Sequence, residues 1–388
     1  MSAHLCEHIP VNDNSQLLSS TIQKATSRGE LINRTGLITL DEACMLNRAA
    51  FACMEEVCRR VMNNDRPFGG KAVVLLGDFR QTCPVIPGGT HAQIRDACIQ
   101  SSPLWSKFEI RRLTQLIRNA QDPEYAEFVN AIGDGAGPEI DLGILSSTTQ
   151  KEDIIDFVFP PEILLDPLAC LPRGILAPTN KQVNEYNSIL LDRVHGQYRK
   201  YFAADSLKEA SESGLDSIDF ERSILDYVAR QTPPGLPPHC LEIKTCAVYR
   251  LLRNFSIDRQ LVKNIRVVVT EIGNRIITAK VLRDRPTFGN DVEEDIVIPR
   301  ITFTHVLSSG HTLLRRQFPL ALAYSTTFHS CQGQTYDRIG VDLTKPVFTH
   351  GQLYTALSRV RQREHALVRL KPNQNSTQNI TFHDILLP

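Results

Sequence analysis

Two short apolar runs constrain this chain more than any other feature. LITL at 37–40 ends in Asp41 and Glu42, and AVVLL at 72–76 ends in Gly77 and Asp78. Between them Leu46, Ala50, Met54, Val57, Cys58 and Val61 recur at helical spacing, so the stretch reads strand, helix, strand. Strands joined in this way are parallel, and right-handed crossovers bring their C-terminal ends to one crevice, the edge where α/β proteins bind ligands. The first 120 residues therefore predict a mostly parallel sheet with carboxylates at its binding edge.

The pattern resumes at GILAPTN, where a strand runs into Asn180 as helix cap and Val183, Tyr186 and Leu190 share one helix face. From Phe318 the strands LALAYS, IGVDL and ALVRL follow, with TALSRV as a short amphipathic helix between the last two. Between about 200 and 310 stand an acidic stretch, the proline cluster TPPGLPP, and β-rich IRVVV and RIITAKVL joined through Gly273 and Asn274. The expected architecture is two α/β domains, at 1–120 and 171–388. A connecting region at 121–170 holds a helix near 125–132, and a small all-β insertion occupies about 200–310. A chain of 388 residues accommodates this, at roughly 100 to 200 residues per domain.

Lys and Arg number 43 and Asp and Glu 43, so any nucleic-acid contact must come from a local groove and not from bulk charge. Ten cysteines without a CxxC pair read as reduced, mostly buried thiols, with no metal or disulfide role. No run approaches the ~18 apolar residues of a membrane span, and the N-terminus has no targeting region. An intracellular protein without a membrane partner is expected.

In a nucleotide hydrolase, a carboxylate such as Asp41 holds Mg²⁺ and its neighbour, here Glu42, orients or deprotonates the attacking water. The alternative is a pair of solvated or helix-capping loop acids. LLGDFRQTCPV repeats the logic, with Asp78, Arg80 and Gln81 emerging at the same edge, or else forming a plain Gly-Asp turn. Between 250 and 266, Arg250, Arg253, Arg259, Lys263 and Arg266 stand against Asp258, with Tyr249 and Phe255 interleaved. They read either as one wall of a single-strand channel or as an exposed β-surface with ordinary charges.

LDEA, GDFRQ, APTN, LLRN, CQGQT and YTALSR occur in the order found in the Pif-family DNA helicases, superfamily 1 motors related to RecD. FGGKAVVLLGDFRQ, LLRNFSIDRQLVKNIRV and TTFHSCQGQT resemble especially the branch carried by Helitron rolling-circle transposons. The likeness covers roughly residues 8 to 370. It implies two RecA-like motor domains, the first incomplete, and an SH3-like insertion in the second. The activity implied is ATP-dependent 5′-to-3′ unwinding with ATP and Mg²⁺ as cofactors, acting on single-stranded DNA or single-strand/duplex junctions. Roles in DNA repair, recombination and telomere maintenance, in the nucleus or alternatively the mitochondrion, belong to the same expectation.

By the same resemblance, Asp41 is the Mg²⁺ ligand and Glu42 the catalytic acid. Gln81 is the γ-phosphate sensor, Arg118 an arginine following a first-domain strand, and Arg359 the finger from the second domain. Asp78, Gln332, Gly333 and Gln334 fall on nucleotide-side blocks. Thr179, Asn180, Arg253, Asn254, His329 and Thr335 fall on DNA-side blocks, although Asn180 equally reads as a helix cap. The family often has lysine at Ser330 and asparagine at His329, which puts a charged DNA contact there in doubt. Its phosphate loop, GxxxxGK[ST], does not occur: the Gly-Lys of FGGK at 68–71 is preceded by Asp65 and followed by Ala72, where a glycine and a hydroxyl are needed. EHIPVNDN resembles the segment after that loop, so the chain is expected to begin inside the first motor domain. A non-catalytic remnant that binds single-stranded DNA or a partner is the alternative.

Overall fold

Helix α1 (Ser27–Arg34) leads into strand β1 (Leu37–Leu40), helix α2 (Arg48–Met62) and strand β2 (Ala72–Leu75). The computed structural model describes residues 18–115, 117–208, 218–230, 232–233, 235–256, 259–283, 295–307 and 310–387. β1 and β2 pair in parallel, Leu37 with Ala72 through Leu40 with Leu75, as the strand-helix-strand pattern predicts. Asn47 caps α2 by accepting from the Ala49 N–H, and the helix turns Phe51, Met54, Val57, Cys58 and Val61 inward. Each such side chain fully buried stabilises the fold by about 1.5–3 kcal/mol. Helix α3 (His91–Ala97) completes this unit with a capping box between Thr90 and Gln93.

The chain continues through α4 (Pro123–Asp134), β3 (Glu139–Asp141), β4 (Ser146–Thr148), α5 (Lys151–Val158), α6 (Pro161–Leu164), β5 (Arg173–Ala177) and α7 (Asn180–Arg193). It then enters an insertion comprising β6 (Tyr198–Phe202), β7 (Ala204–Lys208), α8 (Ile218–Ala229), β8 (Cys240–Lys244), β9 (Val248–Leu251), β10 (Arg266–Ile272), β11 (Ile276–Val281), β12 (Ile296–Pro299), β13 (Ile301–Val306), β14 (Thr312–Gln317) and β15 (Leu320–Leu322). β16 (Ser325–Thr327), β17 (Arg338–Asp342), α9 (Gln352–Leu357), β18 (Ala366–Arg369) and β19 (Ser376–Gln378) close the chain.

The second unit is a parallel sheet in the order β16-β5-β17-β18-β4. Strand alternation decides which side each residue serves. Ile175 packs with Ile154, Val158, Tyr186 and Leu190 of α5 and α7, while its neighbour Leu176 joins Tyr125, Leu353 and Leu357 of α4 and α9. Helices thus cover both faces, and the strands read as continuous apolar runs. The insertion is built mainly on the antiparallel sheet β12-β11-β10-β9-β15.

Three boundaries differ from those expected. The 121–170 passage does supply a helix over 125–132, but its β4 and α5 complete the second sheet and do not merely connect. The insertion runs from β6 to β15 and contains α8, so it is not all-β. The C-terminal residues leave the second unit: Ile385 is buried in the first unit's core and its carbonyl accepts from Gln100 Nε2 at 2.6 Å. No periodicity in the tail announces that return.

Candidate functional site

The C-terminal ends of β1 and β2 face the second unit. Asp41 is exposed, and its Oδ1 accepts the Glu42 N–H at 2.9 Å. Glu42 itself is left-handed, at φ 53° and ψ 41°, a conformation that costs a non-glycine residue about 1–2 kcal/mol. Its carboxylate meets the other unit: Oε2 accepts from Gln332 Nε2 at 2.8 Å. Gln332 is fixed from behind by Thr82, whose hydroxyl donates to Gln332 Oε1 at 2.7 Å. Thr82 is fully buried, and its N–H donates to Thr355 Oγ1 at 3.2 Å. One threonine therefore ties the GDFRQT loop to both the CQGQT turn and α9.

Arg359 lies at the same junction. It is 2% exposed, with Nε donating to Thr355 O, Nη1 to Gln334 O, and Nη2 to both Ser358 Oγ and Gln81 Oε1 at 3.3 Å. The expected sensor and finger are thus in direct contact across the two units. Arg359 was expected on a short amphipathic helix, but it lies just past the C-cap Ser358 of α9, and α9 itself is not amphipathic. All of α9 is buried, because the second sheet and α4 cover one side and the GDFRQT loop covers the other.

A second set of contacts clamps the units together. Asp78 was expected on the nucleotide side, but both of its oxygens are engaged: Oδ1 accepts from Arg80 Nε at 3.0 Å, and Oδ2 accepts from the Tyr354 hydroxyl at 2.5 Å. Burial alone would raise its pKa, but the Arg80 charge and these hydrogen bonds outweigh burial and hold it below the usual carboxylate range. Gly351, at φ +69°, lets the loop approach: a Cβ there would stand 2.4 Å from Arg80 O. His350 is fully buried, accepts the Phe382 N–H at Nδ1 and so donates from Nε2 to Phe79 O. That assigns its neutral tautomer, and burial lowers its pKa.

Arg118 Nη1 donates to Ser358 O at 2.9 Å, and desolvation followed by the nearby Arg359 charge lowers its pKa. Two arginines this close form a local positive field suited to an anion. Among the described residues no group of three His, Cys, Asp or Glu can hold a metal by itself. Mg²⁺ at nucleotide sites needs only one or two carboxylates plus phosphates, and the exposed Asp41 suits that donor set. The sequence supplies no GxxxxGK[ST] cradle. The residues present fit the catalytic half of a nucleotide site and not its phosphate-binding half.

The expected DNA-side residues fall in two places. Thr179, not Asn180, caps α7, accepting from the Gln182 N–H; Asn180 is the exposed first helical residue. Burial pushes the His329 pKa down to about 4, so its imidazole is neutral and carries no charge to a phosphate. In the CQGQT turn Gly333 is left-handed at φ +75°, Thr335 is exposed, and Gln334 Oε1 accepts from the Tyr336 hydroxyl and from Arg266 Nη2 at 3.5 Å. The turn therefore touches Glu42 at one end and the insertion at the other. In the insertion Arg253 is exposed over the Phe303 ring, 5.1 Å from its centroid, and Asn254 Oδ1 accepts the Lys263 N–H at 2.6 Å. Desolvation and the charges of Arg253 and Arg250 lower the Lys263 pKa, the signature of a clustered cationic surface. Tyr249 is fully buried and Phe255 packs against the core, so neither aromatic stands free for stacking; Asp258 lies outside the described residues.

Sequence reasoning missed Thr82, His350 and Tyr354 as members of the junction. A neutral threonine after Gln81 gives no charge or periodic signal. The one cue available was its place inside the LLGDFRQTCPV block, directly after Gln81.

Residues 1–141 match the family model described as PIF1-like helicase. The ATP-dependent DNA helicase PIF1 of Emericella nidulans is 28% identical over 368 residues, covering 84% of this chain and 46% of the relative. That of Danio rerio is 27% identical over 364 residues, covering 91% and 50%. RRM3 of Saccharomyces cerevisiae, also an ATP-dependent DNA helicase, is 24% identical over 404 residues, covering 89% and 53%. The chain spans about half the length of these curated relatives. Among solved structures, a Bacteroides Pif1 bound to ssDNA matches with a TM-score of 0.61 at 21% identity, covering 95% of this chain and 77% of that one. The Bacteroides Pif1 helicase with ADP-AlF3 and ssDNA matches at 0.59 with 21% identity, with the same coverage of each chain. These likenesses establish the fold, that of RecA-like motor domains with parallel sheets.

Proposed function

We infer that the chain is a member of the PIF1-like helicase family, whose model matches residues 1–141, and that it carries the catalytic junction of an ATP-dependent DNA helicase that moves 5′ to 3′ on single-stranded DNA. The observation that carries this reading is the convergence of Glu42, Gln81 and Arg359 across the two units. ATP with Mg²⁺ would supply the transferable phosphoryl group. Within the chain, Glu42 is the acid positioned to order a water, Gln81 and Arg359 meet where phosphate charge would develop, and Gln332 holds Glu42 in place. Arginines in this role are worth about 10³ to 10⁵ in rate. Single-stranded DNA as substrate is supported by the clustered cations Arg250, Arg253 and Lys263 and by the solved relative bound to ssDNA.

A second reading, a single-strand binder that does not hydrolyse ATP, is favoured by one observation: the sequence holds no GxxxxGK[ST]. The two separate cleanly. DNA-stimulated ATP hydrolysis by the purified chain, suppressed by Glu42→Gln and by Arg359→Ala, supports the helicase reading. Salt-dependent oligonucleotide binding without hydrolysis supports the second, and neither activity overturns both.

A further inference from the structure

We propose that Phe348 is a base-stacking platform for single-stranded nucleic acid, at the C-terminal edge of the second sheet. β16, β5 and β17 are parallel, so the segments that follow them, at His329, Thr179 and Thr344, leave from one edge. Side-chain contacts knit that edge together: Thr179 Oγ1 with Gln182 Oε1 at 2.7 Å, and Gln182 Nε2 with Thr344 Oγ1 at 3.4 Å. Phe348 stands on the loop leaving β17, beside the exposed Lys345, and is 61% exposed.

Single exposed aromatics are ordinary on protein surfaces, but this one is held by a fixed loop. Val347 and His350 on either side are buried, and the Phe348 N–H donates to Gln352 Oε1 at 2.9 Å. The same Gln352 amide donates from Nε2 to His329 Nδ1 at 3.4 Å, which ties the Phe348 backbone to the segment entering the CQGQT turn. A pinned backbone with an exposed ring, three residues from an exposed lysine on the same loop, is the chemistry that accepts a base face while the strand's phosphates stay in water. Tyr249 and Phe255 do not offer such a face, and Phe348 does.

The inference rests on the reading that the chain binds single-stranded DNA. The test is fluorescence anisotropy with a labelled oligo-dT and with an abasic oligonucleotide of equal length. Phe348→Ala should weaken oligo-dT binding about 5- to 150-fold and leave abasic binding unchanged, while Phe348→Trp restores oligo-dT binding. Equal oligo-dT affinity of wild type and Phe348→Ala, or equal losses on both oligonucleotides, overturns the stacking role alone. Wild-type chain that binds neither oligonucleotide at low salt overturns the DNA reading and this proposal together.

Discussion

The side-chain amide of Gln332 donates to the carboxylate of Glu42 at 2.8 Å, joining residues 290 positions apart in the chain. The acid is therefore aimed by a neighbour in the other unit as well as by its own strand. Thr82 sets which end of the Gln332 amide faces Glu42, because its hydroxyl donates to Gln332 Oε1.

Replacing that hydroxyl isolates its effect. Thr82→Val keeps the shape but leaves the half-buried Gln332 amide oxygen without its donor, at a cost of about 1 kcal/mol, the low end of the range for a buried group. Urea unfolding should show this loss, and Thr82→Ser should recover most of it. Equal midpoints for wild type and Thr82→Val would show that the hydroxyl does not orient Gln332.

Gly351→Ala should strain the contact between units. The left-handed backbone costs about 1–2 kcal/mol with a Cβ, and overpacking against Arg80 O and Gln81 adds about 1–3 kcal/mol. Thermal unfolding should fall by several degrees, with faster proteolysis of the GDFRQT loop. An unchanged melting temperature would mean that the loop withdraws at no cost.

The Asp78 clamp carries an acid-dependent signature. Its folded pKa lies below the usual value, so its contribution is full above about pH 4, the unfolded carboxylate value, and is lost as pH falls through the folded pKa. Asp78→Asn should be less stable than wild type at pH 7, with the gap closing below pH ~4. Tyr354→Phe should cost about 1.5–3 kcal/mol at pH 7, the range for a hydrogen bond to a charged acceptor. A gap that stays constant from pH 7 to pH 3 would contradict the clamp.

His329 acts in a higher window. Its folded pKa of about 4 lies below the unfolded value near 6.5, so the unfolded chain binds the proton first and stability declines as pH drops from 6.5 toward 4. By pH 5 the loss should be about 1–2 kcal/mol, and His329→Gln should remove that share. His350, whose pKa is also lowered, adds its own slope in the same direction. Denaturant midpoints at pH 7.5 and 5.0 for wild type and His329→Gln measure the difference; equal slopes would count against a buried neutral His329.

Much of the scaffold was legible because its cause is local. β1, α2 and β2 follow from apolar spacing alone, and α7 from a cap and one face of contacts. What was not legible depends on contacts far apart in sequence. α9 shows a two-faced pattern only until the GDFRQT loop folds over it. Tyr249 sits among arginines in sequence, yet strand register turns it inward, where its hydroxyl accepts the Lys244 N–H. The blocks around Glu42, Gln81 and Arg359 were readable as chemistry; Thr82, which holds them together, was not.

The CQGQT turn holds Glu42 through Gln332 and reaches Arg266 of β10 through Gln334, within three residues of backbone. Reciprocity of linked equilibria then sets a numerical constraint. If an oligonucleotide resting on the insertion changes nucleotide affinity at the junction by some factor, nucleotide must change oligonucleotide affinity by that same factor.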